Sequence, residues 1–275
     1  MALNSIAIKQ IIGAWAFDST DDVKWMCSQV EKLQITQDGE TTEKRDSNGS
    51  TIFTIDRNKS CTISFDSSVM DLNLICALNG TEREDATSVA KIRVPYIDRF
   101  TLSASDISNG YVTLTKSVVA ETVGAYRISF HTLTTDGSLL DNYAQAAQAD
   151  NADATHFKYN STNKHLTFPT SLTEGDRIEI IYEFEAAEGV KVVNAADKFP
   201  DAAKVRFLVL AVDLCDQSKV RALWITAKNA KPQTGNTISF NLEDTISVTL
   251  DLAYSYCDTD KSFYEITVAD EDFTW

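Results

Sequence analysis

Apolar and polar residues alternate along much of the chain, most persistently in ISVTLDLAYSYC. Ile246, Val248, Leu250, Leu252, Tyr254 and Tyr256 fall on one side; Ser247, Thr249, Asp251 and Ser255 fall on the other. This predicts a strand with one dry face and one face of hydroxyls and carboxylates. At roughly 3.3 Å per residue it would extend to about 40 Å, well beyond the usual strand. VEKLQIT and STIFTIDR are further strands, and the polar run DGETTEKRDSNG between them predicts a hairpin with a long protruding loop over residues 38–49. KSCTISF continues the alternation, with Cys61, Ile63 and Phe65 opposite Ser60, Thr62 and Ser64. DSSVMDLNLICALNG then switches to helical spacing. Val69, Leu72, Ile75 and Cys76 share a face, Ser68 caps the first turn with Asp71 three residues on, and Asn79-Gly80 ends it.

TEREDATS, residues 81–88, is a charged linker and the best boundary. Beyond it, KIRVPYI, YVTLTKSVV, YRISFHTL, HLTF and DRIEIIYEFEA predict a small β-sandwich punctuated by Asn-Gly, Asp-Gly and Glu-Gly turns. LLDNYAQAAQADNADA fits a helix or a loop. In DRIEIIYEFEA, Ile178, Ile180, Tyr182 and Phe184 face a core, whereas Arg177, Glu179, Glu183 and Glu185 form an acidic strand face broken only by Ile181. KVRFLVLAVDL is apolar on both faces at its centre, which predicts burial on both sides.

Composition narrows the function. With 43% apolar residues in 275, the chain has material for a substantial core. The balance of 25 basic against 40 acidic residues, a net charge of -15, argues against gripping nucleic acid or anionic lipid. Cys27, Cys61, Cys76, Cys215 and Cys257 are dispersed and odd in number, as reduced thiols would be. No apolar run approaches a membrane span, so no membrane anchoring is expected. No nucleophile elbow, zinc-protease motif or phosphate-binding glycine loop occurs. His131, His156 and His165 read as surface histidines too scattered for a zinc site. The acidic row around Glu183 and Glu185 reads as a solvated face rather than an acid–base pair, and DTDGSLLDN and ADNADATH keep no calcium-loop register. The expectation is a protein acting through surfaces, with no catalytic residues, no metal and no cofactor.

The order of these segments resembles the tail tube, or major tail, proteins of tailed bacteriophages. The likeness is carried by the hairpin with STIFTIDRNKSCTISFDSSVMDLNLICALNG, by the central GYVTLTKSVVAETVGAYRISFHTL and HLTFPTSLTEGDRIEIIYEFEA, and most by the C-terminal part around WITAKNAKPQTGNTISF. The chain is longer than a minimal tube subunit, which the central segment accounts for.

The resemblance implies a mainly β fold: a discontinuous β-sandwich or barrel of long antiparallel strands with one packed helix, from residues 1–84 and 187–275. Residues 85–186 would be a β-rich insertion, decorating the outside. Such subunits form rings, usually hexamers, that stack into a conduit for DNA ejection. The loop carrying Asp38, Glu40, Glu43, Lys44, Arg45 and Asp46 would bridge rings. Ser247, Thr249, Asp251 and Ser255 would line an acidic, non-adhesive lumen, while Glu179, Glu183 and Glu185 would face solvent on the insertion or, as the alternative, the lumen. Partners would be other copies of the chain, tape-measure and terminator proteins, and passing double-stranded DNA, in a virion tail assembled in the host cytoplasm. The alternatives are another virion component (terminator, hub or decoration protein) or a β-sandwich adhesin or carbohydrate-binding module.

Overall fold

The computed structural model describes residues 6–69, 71–122, 125–147, 150–214, 218–235, 245–254, 261–269 and 273. The fold is mainly β. It divides into two compact units, residues 1–83 with 192–275, and residues 84–191.

The first unit contains β1 (Ile6–Phe17), β2 (Val23–Cys27), β3 (Val30–Arg45), β4 (Thr51–Ser67), α1 (Leu72–Asn79), β16 (Ala203–Asp213), β17 (Val220–Pro232), β18 (Ile246–Leu252) and β19 (Glu265–Val268), numbered in chain order. They form one antiparallel sheet in the order β2-β1-β16-β17-β18-β4-β3, with β19 also paired to β17. The sheet curls strongly. Cys27 on edge strand β2 donates its thiol to Ser67 Oγ on β4 at 3.0 Å. Trp25 stacks on Phe65 at 6.3 Å, and Phe65 meets Phe207 edge-on at 5.5 Å. The concave side is therefore the core, and Ile63, Phe65, Val205, Phe207, Val209, Val248 and Leu250 fill it through period-two alternation.

α1 plugs this cup with Leu74 and Leu78. Its cap differs from the expectation. Asp71, not Ser68, accepts the Asn73 and Leu74 amides at 2.7 and 3.1 Å, so the helix starts one turn later and Val69 lies outside it, half exposed. A carboxylate two and three residues before those amides satisfies two orphan donors at once. Gly80 ends the helix at φ +66°, where a Cβ would sit 2.1 Å from the Phe199 carbonyl oxygen, so both conformation and space demand glycine. β16 is buried on both faces at its centre, with Leu208 and Leu210 on the side away from the cup beside Ala222 and Trp224 of β17.

The second unit comprises β5 (Glu84–Asp85), β6 (Ile92–Thr101), α2 (Ala104–Asn109), β7 (Tyr111–Thr113), β8 (Ala120–Thr122), β9 (Ala125–Tyr126), β10 (Ile128–Leu133), β11 (Leu139–Gln145), β12 (His156–Asn160), β13 (His165–Thr167), β14 (Arg177–Ala186) and β15 (Val190–Lys191). Seven strands form a sheet ordered β6-β14-β10-β11-β12-β13-β7, with β11 and β12 parallel, and the short pairs β5–β15 and β8–β9 stand apart. Phe130 of β10 stacks on Phe157 of β12 at 5.3 Å, so this sheet also folds over on itself around a core with Ile178, Ile180 and Tyr182. Asp98 is buried there and accepts three hydrogen bonds: Thr115 N at 2.8 Å, Thr115 Oγ1 at 2.6 Å and Tyr182 OH at 2.7 Å. They pin the chain after β7 onto the sheet. The ambiguous Ala- and Gln-rich segment starts as strand β11, and Ser103 and Asp106 form a capping box on the unforeseen α2.

Candidate assembly surfaces

Three surfaces of the first unit stand out. The first lies where a loop was expected over residues 38–49. β3 and β4 continue through that region as a two-stranded ribbon, pairing Glu40 with Arg57, Thr42 with Ile55 and Lys44 with Phe53, so the connection shrinks to a turn at residues 46–50. Asp46 makes the turn: its Oδ1 accepts the Asn48 and Ser50 amides at 2.9 and 2.8 Å, and Gly49 adopts φ +83°. Ribbon side chains also pair locally, with Arg45 on Glu43 at 2.7 Å, Thr41 on Asp56 at 2.8 Å and Asn58 on Glu40 at 2.8 Å. Asp38 closes on its own strand, accepting the Gly39 amide. Among the described residues, β4 pairs with β18 only from Cys61 onward, so residues 51–60 have β3 as their one partner. Every residue of the ribbon except Ile55 is exposed, including Ile52 at 64% and Phe53 at 46%.

The second surface is the convex side of β18, β4 and β3. The expected polar face of β18 is present: Ser247 and Asp251 are exposed and Thr249 is half-buried, between fully buried apolar neighbours. Register extends it sideways, since Ser247, Thr249 and Asp251 lie opposite Asp66, Ser64 and Thr62, and these continue into Glu31, Gln34 and Thr36. Ser247 donates to Asp66 at 2.7 Å and Lys32 pairs with it at 3.0 Å. The Ser247 hydrogen bond, followed by Lys32 and opposed by partial burial, holds the Asp66 carboxyl below its ordinary range. Gln233 donates to Asp251 at 2.7 Å. The described strand ends at Leu252, although the Ala253 amide still donates to the Asn229 carbonyl at 2.9 Å in the register of the β17–β18 ladder; Tyr254 is exposed, and Ser255 and Tyr256 lie outside the described residues.

The third surface, on the same convex side, is basic and aromatic. Lys204, Arg206 and Lys228 border a groove with Trp224, Thr226 and Glu265. The Phe17 ring lies 5.3 Å from the Arg206 guanidinium and 5.6 Å from Lys204 Nζ, and Lys204 also pairs with Asp21. Sequence reading missed this patch because its cations come from β16 and β17, which are distant in sequence but adjacent in register.

In the second unit, the acidic strand face is not a uniform solvated row. Glu179 is buried: it accepts from Arg99 of β6, and its Oε1 lies 2.9 Å from His131 Nε2 of β10. Antiparallel register places Arg99, Glu179 and His131 side by side at the middle of the sheet, where neighbouring strands shield them. His131 is accordingly buried rather than on the surface. Toward the strand end exposure returns: Glu183 is half-buried, and Glu185 is exposed, 3.4 Å from Lys91. His156 pairs with Asp153 at 2.9 Å, and His165 stacks on Tyr111 at 3.8 Å. Asp136 of the candidate calcium loop accepts from Thr134 and Ser138 within a turn. Among the described residues no cluster of three or more His, Cys, Asp or Glu could hold a metal, and no helix is long and apolar enough to cross a membrane.

No curated protein matches the chain. A protein family does, over residues 7–264, which takes in nearly every element described above. The chain belongs to the YomU/Tube protein family, a match that points to a phage-related tube protein.

Proposed function

We propose that the protein is the subunit of a phage tail tube, a structural virion component with no catalytic step and no cofactor. Copies join sheet edges into rings, six to a ring, and rings stack into a conduit for double-stranded DNA. The observation that carries this reading is the ribbon, whose residues 51–60 pair, among the described residues, with β3 alone. A two-stranded ribbon is at best marginally stable alone in water, and this one exposes its strand edges and two large apolar side chains. Docking on another copy turns those liabilities into an interface. Asp38, Glu40, Glu43, Lys44, Arg45 and Asp46 then serve on a bridging arm rather than a loop. The polar face of Ser247, Thr249 and Asp251 suits a bore: it offers DNA hydroxyls and carboxylates, which repel phosphate within a Debye length of about 8 Å. Tape-measure and terminator proteins are the expected further partners, and the host cytoplasm the place of assembly.

Concentrating the purified protein and imaging it by negative stain, with light scattering in parallel, tests the reading. Rings or tubes support it, and a stable monomer at high concentration refutes it. Deleting residues 40–48 should abolish stacking while leaving the melting temperature of the monomer unchanged; normal tubes after that deletion would remove the arm from the bridging role.

A further inference from the structure

The ribbon needs a receptor, and one lies at the other end of the same unit. A pocket of about 340 Å³ opens between α1 and the sheet, with Trp25, Ala77, Val205 and Leu250 among its apolar lining. Its rim carries Lys24 and Arg83 together with Glu82 and Asp201.

Strand directions place it. β4 and β17 each pair antiparallel with β18, so they run the same way, from ribbon tip to base. The pocket sits where β17 finishes, at Ala230 and Pro232, and where β16 begins, at Ala203. It therefore lies at the base, and the tip points away from it. Ala230 is in register with Leu252, and Leu252 with Cys61, whereas the tip begins ten residues further along β4 at Thr51. Extended chain makes that separation about 30 Å, so an arm cannot fill the pocket of its own subunit.

Resting on the tube reading, we infer that the pocket receives the Ile52–Phe53 tip of a second copy of this chain, in the next ring. Knob and hole are at opposite ends of one subunit, so the contact is heterologous and repeats without closing, which is what an open stack requires. Tip and rim both carry charges of either sign: Lys44, Arg45, Glu43 and Asp46 at the tip, Lys24, Arg83, Glu82 and Asp201 at the rim. The apolar centre supplies the affinity, while the exposed rim pairs contribute chiefly orientation.

Two measurements test the inference. Ile52→Asp with Phe53→Asp should cut the sedimentable, assembled fraction at least about tenfold, with the monomer melting as before, since neither side chain belongs to the core. In a background with Cys76, Cys215 and Cys257 replaced by alanine, Phe53→Cys combined with Thr81→Cys, oxidised in assembled tubes, should give covalent ladders of three and more copies, which neither single variant gives. Tubes at wild-type yield from the double aspartate variant, or cross-linked dimers without longer ladders, would overturn the pocket as receptor while leaving the tube reading in place. Failure of the unmodified protein to assemble would overturn both.

Discussion

Glu179 shows how one residue's environment is set by strands far away in sequence. Burial alone would push its carboxyl up, but hydrogen bonds from Arg99 and His131 outweigh this and hold it below the ordinary carboxylate range. Because the folded value is depressed, the stabilisation is complete above the unfolded value of about 4.3 and is lost as pH falls through the folded one. The second unit should therefore lose stability below about pH 4.5, and Glu179→Gln should flatten that loss, as thermal melts across pH would record. Arg99 is 71% exposed, so water screens its charge, and the buried His131 sets the cost of truncation. Glu179→Ala leaves that imidazole without its carboxylate and should destabilise the unit by about 1–3 kcal/mol. Asp98 gives the complementary case. Tyr182→Phe removes one of its three donors and should cost about 1–2 kcal/mol, while Asp98→Ala strands the buried Tyr182 hydroxyl and two groups of Thr115 and should cost more. Equal melting temperatures for the two variants would show that the network is not shared.

Elements differ in how much of themselves they display in sequence. β4 beyond Cys61, β14 and β18 show the period-two alternation of a strand with one buried face, and the structure has strands there. The helix is legible from its spacing and its Gly80 stop; its start is not, since Ser68 and Asp71 are equally good caps by composition and packing of Leu74 into the cup selects the second. The ribbon is half legible. STIFTIDR reads as a strand and is one, whereas its partner, residues 38–45, is polar and exposed on both faces, so no hydrophobic register marks it and it reads as a loop. The one visible signal there is the turn, Asp46 followed by Gly49. Gly49→Val places a β-branched residue at φ +83° and should fray the tip. Amide exchange should accelerate over residues 43–53 with the global melt unchanged, and assembly should weaken with it. Unaltered exchange would mean that the turn does not hold the arm.

For the whole molecule the open question is charge. In the proposed six-fold ring, copies at -15 would sum to a formal -90 (6 × -15), yet the convex side of the sheet is divided between the acidic and hydroxyl face of β18, β4 and β3 and the basic patch of Lys204, Arg206 and Lys228. Net charge, the quantity most easily read from sequence, cannot say which of these lines a bore, because that depends on which strands neighbour which. DNA in transit distinguishes them physically. A basic lining exchanges condensed counterions for phosphate contacts and retards the duplex, with affinity falling steeply as salt rises; a carboxylate lining has no positive charge with which to displace the cations condensed on the duplex. If the β18 face lines the bore, wild-type tubes should retain little duplex DNA in co-sedimentation at either low or high salt. Ser247→Lys, Thr249→Lys and Asp251→Lys together add four positive charges per copy (1 + 1 + 2), or 24 per six-fold ring, at exposed or half-exposed positions that leave the core of Val248 and Leu250 untouched. That variant should still assemble but hold DNA at low salt, with a log–log salt slope of about -0.9 for each phosphate neutralised. Wild-type tubes that already retain DNA in a salt-dependent way would instead assign the bore to Lys204, Arg206 and Lys228 and put the hydroxyl face on the outside.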